Sequence, residues 1–383
     1  MVVSPVLPTS EGPSLTGVVP GLLAHLYGQA SLPDWMPATA AGASQIVLLV
    51  LDGLGWEQLA ARRALAPTLA EGTGRSITSV APSTTAAALT SLVTGRHPCD
   101  HGVVGYRVAY DDEILNVLQW TLGGVDARVR VPARTFQPLP LFPGAPGPVP
   151  VVTRGDYGST GFSAAHLGDA VLHGWHTPAG LLTGVRALLG AGERFVYAYY
   201  EGIDKVAHAR GLGASYDDEL RYVDRMVGDV LGVLPPGAAL VVTADHGQIE
   251  VGGAVEVLGA DVMDGVRLIS GEGRFRWLHA RPGAAADVAA AARDAFGDVA
   301  AAAREAYGDV AWVLTKDEMV EEGWLGGVPL ATVSSRLGDV VLAPFTPTAF
   351  LDPADTGELR LLARHGSLTP EEMLIPLLSW PSA

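Results

Sequence analysis

The chain has 383 residues, of which 48% are hydrophobic and 17% charged, with a formal net charge of −16. This composition permits a sizeable core and excludes a disordered chain or a broad nucleic-acid-binding surface. An acidic protein that recognises phosphate needs concentrated local positive charge, such as bound metal ions.

Cys99 is the single cysteine, so an intrachain disulfide is excluded. Residues 1–10 carry no basic start and no apolar run, and Ile46–Leu51 is far too short to span a bilayer. The expectation is a soluble cytoplasmic protein with no membrane partner.

In chain order, residues 1–44 read as a helical lead-in. Ile46–Leu51 reads as a strand buried on both faces, stopping at Asp52-Gly53. A helix is expected over Trp56–Ala70, a short strand over Ser76–Val80, and a second helix over Thr84–Val93. The proline-rich stretch Val131–Val152 reads as an irregular surface excursion. Arg194–Tyr200 and Ala238–Thr243 are further buried strands. Residues 284–313 are alanine-rich and contain a local echo, Arg293–Val299 and Arg304–Val310, read as a helical pair in a peripheral lobe. Alternating strands and helices predict an α/β fold with a mostly parallel sheet. The main domain is expected over residues 45–383, with insertions near 107–180 and 250–345.

Three apolar runs lead into aspartates: Asp52, Asp204 and Asp245. Ligands of open α/β sheets bind beyond the carboxyl ends of the strands, so three carboxylates there make a metal cradle. Alone, each reads more simply as a turn or cap residue. Asp204 and His208 are spaced to share a helix face and grip one ion, where the plain alternative is a surface pair. Asp245 and His246 can fan out from a strand end. In Pro82–Gly95 a helix begins near the threonines, where a hydroxyl meets backbone N–H groups and the positive end of the dipole. The plain alternative is an N-cap. Downstream, Thr369 reads as N-cap, Pro370 as first helical residue and Glu372 as the end of a capping box, after a loop holding His365.

Together these residues resemble the alkaline phosphatase superfamily, and within it the nucleotide pyrophosphatase/phosphodiesterase branch, over roughly residues 45–380. The ordered set Asp52, Thr85, Asp204-x-x-x-His208, Asp245-His246-Gly247 and His365 is specific; no single member is. In that family the nucleophile lies ten residues before the glycine of a Thr-Gly pair, which selects Thr85, with Thr84 as runner-up. The resemblance implies a three-layer sandwich with an inserted lobe. It also implies two divalent ions, with zinc preferred: one held by Asp204, His208 and His365, the other by Asp52, Thr85, Asp245 and His246. The expected reaction is cleavage of a small-molecule phosphodiester or nucleotide pyrophosphate through a covalent phospho-threonine. Phosphomonoester or phosphonate hydrolysis on the same scaffold, or a non-catalytic metal-binding homologue, are the alternatives.

Where close relatives often carry an asparagine, His101-Gly-Val-Val-Gly-Tyr106 presents Tyr106, whose phenol can donate one hydrogen bond to substrate. His97 and His101 fit no family position, and Cys99 lacks a sulfatase context. Recognition of a phosphate dianion favours a nearby cation. Arg75, Arg96, Arg107, Lys205 and Arg274 are the candidates.

Overall fold

A computed structural model describes residues 4–9, 11–281 and 299–382. At its centre lies a seven-stranded sheet: β1 (Gln45–Leu51), β2 (Thr73–Thr78), β3 (Pro150–Arg154), β4 (Val171–Trp175), β5 (Phe195–Tyr200), β6 (Ala238–Thr243) and β7 (Leu374–Pro381). Their spatial order is β2-β7-β6-β1-β5-β3-β4. β7 runs antiparallel to both its neighbours, and the remaining pairings are parallel. β1 sits between β6 and β5 and is covered on both faces, which is why its sequence is continuously apolar rather than alternating. The fold is α/β with a mostly parallel central sheet.

The lead-in helix α1 (Leu15–Leu26) sends Leu15, Val18, Val19, Leu22 and Leu23 into the same core as β1. It packs beside α2 (Thr85–Thr94). The helix expected over Trp56–Ala70 is divided into Trp56–Ala61, a 3-10 turn at Arg63–Leu65, and Pro67–Glu71. Pro67 lacks an N–H to continue the ladder and starts a new helix at its own first position. β2 begins three residues before the expected Ser76 because it is an edge strand whose outer residues are polar and exposed.

Two further corrections concern the insertions. The end of the proline-rich stretch and the segment behind it belong to the central sheet: β3 pairs with β5, and β4 pairs with β3 as the edge strand. Within 107–180, a small sheet of Arg107–Tyr110, Glu113–Asn116, Thr121–Leu122 and Val125–Asp126 is the part that stands apart. Residues 250–345 contribute a second four-stranded sheet, from Val266–Glu272, Phe275–Ala280, Ala311–Thr315 and Val340–Pro344, with a core of its own. The first copy of the alanine-rich echo lies, but for its last residue, outside the described residues. The second ends a helix at Tyr307 and turns into strand Ala311–Thr315, where helix was expected.

Candidate metal centre

The three aspartates arrive from three adjacent parallel strands. Asp52 follows β1, Asp245 follows β6, and Asp204 lies in the first turn of α3 (Gly202–Arg210), which follows β5. Gly53 makes the turn possible. Its φ of +76° suits glycine, and a Cβ would approach Gln248 Nε2 to 2.7 Å. Its N–H donates to Asp245 Oδ1 at 3.0 Å.

On α3 the four-residue spacing brings His208 Nε2 to 3.2 Å from Asp204 Oδ1. His365 Nε2 completes the group, 3.7 Å from the same oxygen. The loop that carries His365 is tied to the loop before α2 by Ser83. Ser83 N donates to Gly366 O (3.0 Å), Gly366 N to Ser83 Oγ (3.2 Å) and Ser83 Oγ to Ser367 O (2.6 Å). The helix expected after Thr369 is a single turn, Pro370–Met373, because the chain enters β7 at Leu374. Pro370 is at the helix start as expected, but Thr369 makes no capping bond to the backbone. Glu372 does not close a capping box: its carboxylate accepts from Ser367 N, Thr369 Oγ1 and Arg274.

Asp204, His208 and His365 thus form one potential ligand group, and Asp52, Asp245 and His246 another, the ligand atoms of each lying within 4.8 Å of one another. His246 Nε2 is 3.5 Å from Asp52 Oδ1 and 3.4 Å from Asp245 Oδ2. The two groups touch: the His246 and His365 rings stack at 3.6 Å.

Three observations show that these residues fit divalent cations. Asp52 Oδ1 and Asp245 Oδ2 are buried without any hydrogen-bond partner, which is costly unless an unseen charge satisfies them. Burial and the charges of Asp245 and Asp204 push the Asp52 carboxyl well above its ordinary range, and burial likewise raises Asp245. Each histidine spends Nδ1 on a backbone carbonyl: His246 on Gly247 O (3.0 Å), His208 on Ala363 O (2.7 Å), His365 on Ser83 O (3.1 Å). Those bonds assign the proton to Nδ1 and leave all three Nε2 lone pairs facing the carboxylates, as metal-bound histidines require. Burial and its two histidine neighbours hold His365 well below its ordinary pKa, keeping that lone pair free.

Thr85 is the first residue of α2, and its Oγ1 lies 3.1 Å from His246 Nε2. It is partly exposed and lines two chambers, one on each side. Thr84 is the N-cap residue, buried, its hydroxyl turned to Glu272. One chamber, about 280 Å³, is walled by Tyr157, Phe162, Tyr199 and Leu89. The other, about 320 Å³, is polar and includes Tyr106, Glu272, Asp355 and Glu358. Leu118, from the small sheet at 107–126, borders both.

Tyr106 lines the polar chamber, but its hydroxyl donates to the Asp355 and Glu358 carboxylates rather than toward Thr85. Among the candidate cations, Arg274 is fully buried against Glu372 (2.7 Å), Arg107 is paired with Asp352 (2.5 Å), and Arg75 and Arg96 line neither chamber. Lys205 lines the aromatic chamber and is paired with Glu201 at 2.9 Å. His97 and His101 fall outside both ligand groups; His101 is bonded to Ser91 Oγ at 2.8 Å. Burial pushes the Cys99 thiol up to about 12.

Several residues of the site carried no sequence signal. Tyr199 donates to Asp52, Gln248 Nε2 donates to Asp204 at 2.7 Å, and Glu272 reaches the site from the inserted lobe. Tyr199 and Gln248 lie close to recognisable motifs, within the apolar run before Asp204 and two residues beyond His246.

No helix among the described residues is long and apolar enough to cross a membrane. In fold, the chain is similar to the murine ectonucleotide pyrophosphatase/phosphodiesterase 5 (TM-score 0.64, 15% identity, 87% of each chain covered). An inactive form of that murine protein in complex with AMP is also similar (TM-score 0.63, 16% identity, 87% of each chain). So is phosphonoacetate hydrolase from Sinorhizobium meliloti in complex with phosphonoacetate (TM-score 0.61, 19% identity, 88% of this chain and 89% of that one). No curated protein matches in sequence. The model of the type I phosphodiesterase / nucleotide pyrophosphatase family matches residues 46–140 and 160–368, a span that holds Asp52, Thr85 and every candidate ligand, and the chain belongs to that family.

Proposed function

We propose that the protein is a metal-dependent phosphodiesterase in which Thr85 is the nucleophile and a covalent phospho-threonine the intermediate. The observation that carries this reading is the position of Thr85 Oγ1, at the start of α2, 3.1 Å from His246 Nε2 and open to both chambers. Asp52, Asp245 and His246 would hold one cation and Asp204, His208 and His365 the other. Zinc suits carboxylate and imidazole donors, and such cations supply Lewis acidity and make an oxygen nucleophile available at neutral pH.

The chain's own groups account for the rest. The His246 Nε2 lone pair faces Thr85 Oγ1, so the hydroxyl is held where the ligand group converges. The first-turn N–H groups of α2 precede the first intrahelical bond, Ala88 N to Thr84 O (2.8 Å), and are free to donate to phosphoryl oxygens. Thr85 Oγ forms a bond to phosphorus, the bond to the departing alcohol oxygen breaks, and that oxygen takes up a proton. Water then releases the phosphomonoester and restores the hydroxyl.

A diester is favoured over a monoester because Lys205 and Arg364, the Lys and Arg side chains that line the cleft, are engaged by Glu201 and Glu358. A phosphate dianion would find Arg364 Nε, buried and without a hydrogen-bond partner, as the one unengaged cationic donor of these two side chains. A reducing, cytoplasmic setting rests on the single cysteine, Cys99.

The test is hydrolysis of bis-p-nitrophenyl phosphate against p-nitrophenyl phosphate by the zinc-loaded protein. Preferential diester cleavage, lost on chelation, is expected. Preferential monoester cleavage would move the substrate class to phosphatase, and no turnover with metal bound would leave phosphonate hydrolysis or a non-catalytic role.

A further inference from the structure

Gln248 lies two residues beyond His246 and is fully buried. The chain directly after it, Ile249–Glu250, pairs antiparallel with Ala363–Arg364, the two residues before His365. The Ala363 carbonyl also accepts from His208 Nδ1 (2.7 Å), and Leu362 N donates to His208 O (2.8 Å). Gln248 therefore stands where the loop carrying Asp245 and His246 meets the segment that holds His208 and His365.

From there its side-chain amide crosses to the other ligand group. Nε2 donates to Asp204 Oδ1 at 2.7 Å, the oxygen on which His208 Nε2 (3.2 Å) and His365 Nε2 (3.7 Å) converge. An ionised carboxylate only accepts, so this contact fixes which end of the amide faces Asp204. Gly53 leaves room for it, since a Cβ there would meet Gln248 Nε2 at 2.7 Å. Gln58 Nε2 holds the Gln248 backbone carbonyl from behind. Among the described residues, Gln248 is the one amide or hydroxyl that donates to the Asp204 carboxylate. Asp204 borders both chambers, so without this donor its carboxylate has open space to turn into. Packing does not account for the amide: Gln248 Oε1 is buried with no hydrogen-bond partner. An apolar side chain of similar length would fill the same space without an unsatisfied acceptor.

We propose that Gln248 is a positioning residue of the metal centre. It belongs to the loop of the Asp52, Asp245 and His246 group, and it holds Asp204 in place for the Asp204, His208 and His365 group. The inference rests on the two-ion part of the proposed function and adds a residue outside both ligand groups. Partners that orient a ligating carboxylate govern metal affinity as well as the ligands do.

The experiment titrates zinc into the metal-free full chain against a chromophoric chelator and reads the stepwise affinities of wild type, Gln248→Met, His208→Ala and the double variant. His208→Ala identifies the zinc equivalent that belongs to the Asp204 group. Gln248→Met is expected to weaken that same equivalent about 10–100-fold. In the His208→Ala background it is expected to leave the remaining equivalent unchanged. The chelated Gln248→Met protein is expected to melt at or above the wild-type temperature, because the unsatisfied acceptor is gone. A merely structural role would lower that melting temperature and leave both affinities unmoved, which overturns the proposal. Weakening of the equivalent that survives His208→Ala also overturns it. Gln248→Leu repeats the comparison should Gln248→Met not fold, and failure of both to fold overturns it, since the amide would then serve the fold. Wild type binding fewer than two zinc ions, or His208→Ala weakening neither, overturns the two-ion reading itself.

Discussion

His246 and His365 lie ring on ring, centroids 3.6 Å apart and planes 19° from parallel, although each belongs to a different ligand group. One follows β6 and the other sits on a loop more than a hundred residues later, so the stack links the two groups, beside the bond from Asp204 N to Asp52 O (3.1 Å). His365→Ala is expected to remove one metal equivalent per chain and to weaken retention of the second, because His246 loses the surface that fixes its ring. Metal content after graded chelation checks this. Clean loss of one equivalent with the other untouched would show that the groups are independent.

The carboxylates give a prediction of opposite signs in the presence and absence of metal. Asp52 and Asp245 are fully buried with an orphaned oxygen each, and they repel one another when no cation separates them. Asp52→Asn is therefore expected to raise the melting temperature of the chelated protein and to abolish most of its rise on adding zinc. Wild type should gain about 2.7 kcal/mol at a zinc concentration a hundred times the dissociation constant. Calorimetry with and without chelator reads both effects.

Arg274 separates a structural cation from a substrate-binding one. Its guanidinium makes two bonds to Glu372 (3.0 and 2.7 Å) and donates to the carbonyls of Pro344, Thr346 and Thr348. Arg274→Met leaves Glu372 buried without its charge partner and is expected to cost about 3–5 kcal/mol in denaturant unfolding. A change in KM with stability intact would instead make Arg274 a phosphate ligand.

His101 ties stability to pH. It is buried, its Nδ1 accepts from Val103 N at 3.1 Å, and its pKa is held near 3 by burial and by the neighbouring His97 and Arg336. The unfolded chain takes up this proton below about pH 6.5, the folded chain only near 3. The contribution is thus complete above about pH 6.5 and is lost progressively as pH falls toward 3. His101→Gln is expected to flatten the decline of melting temperature between pH 7 and 4, and an unaltered slope would contradict the assignment.

The parts of the fold legible in the sequence were those where local pattern and tertiary environment agree. The runs that became β1, β5 and β6 are apolar almost throughout because they lie inside the sheet with both faces buried, and the i,i+4 spacing of Asp204 and His208 survives because α3 is a regular helix. β3 was hidden at the end of a proline-rich stretch, and β2 by the polarity of an edge strand. Glu372 looked like a capping residue because its spacing from Thr369 is right, but the charge that claims it, Arg274, lies 98 residues away. Glu272 was invisible for the same reason: nothing local marks a residue whose importance comes from an insertion folding back over the cleft.

The central claim is that Thr85, and not Thr84, bonds to phosphorus. The most direct measurement is mass spectrometry of the zinc-loaded protein, quenched in acid during turnover of bis-p-nitrophenyl phosphate. The account predicts a p-nitrophenyl phosphoryl adduct on Thr85. It also predicts loss of that adduct and at least a thousand-fold fall in kcat in Thr85→Ala, on the order of what removal of a catalytic nucleophile costs. An adduct on Thr84, or turnover that survives Thr85→Ala, would contradict it.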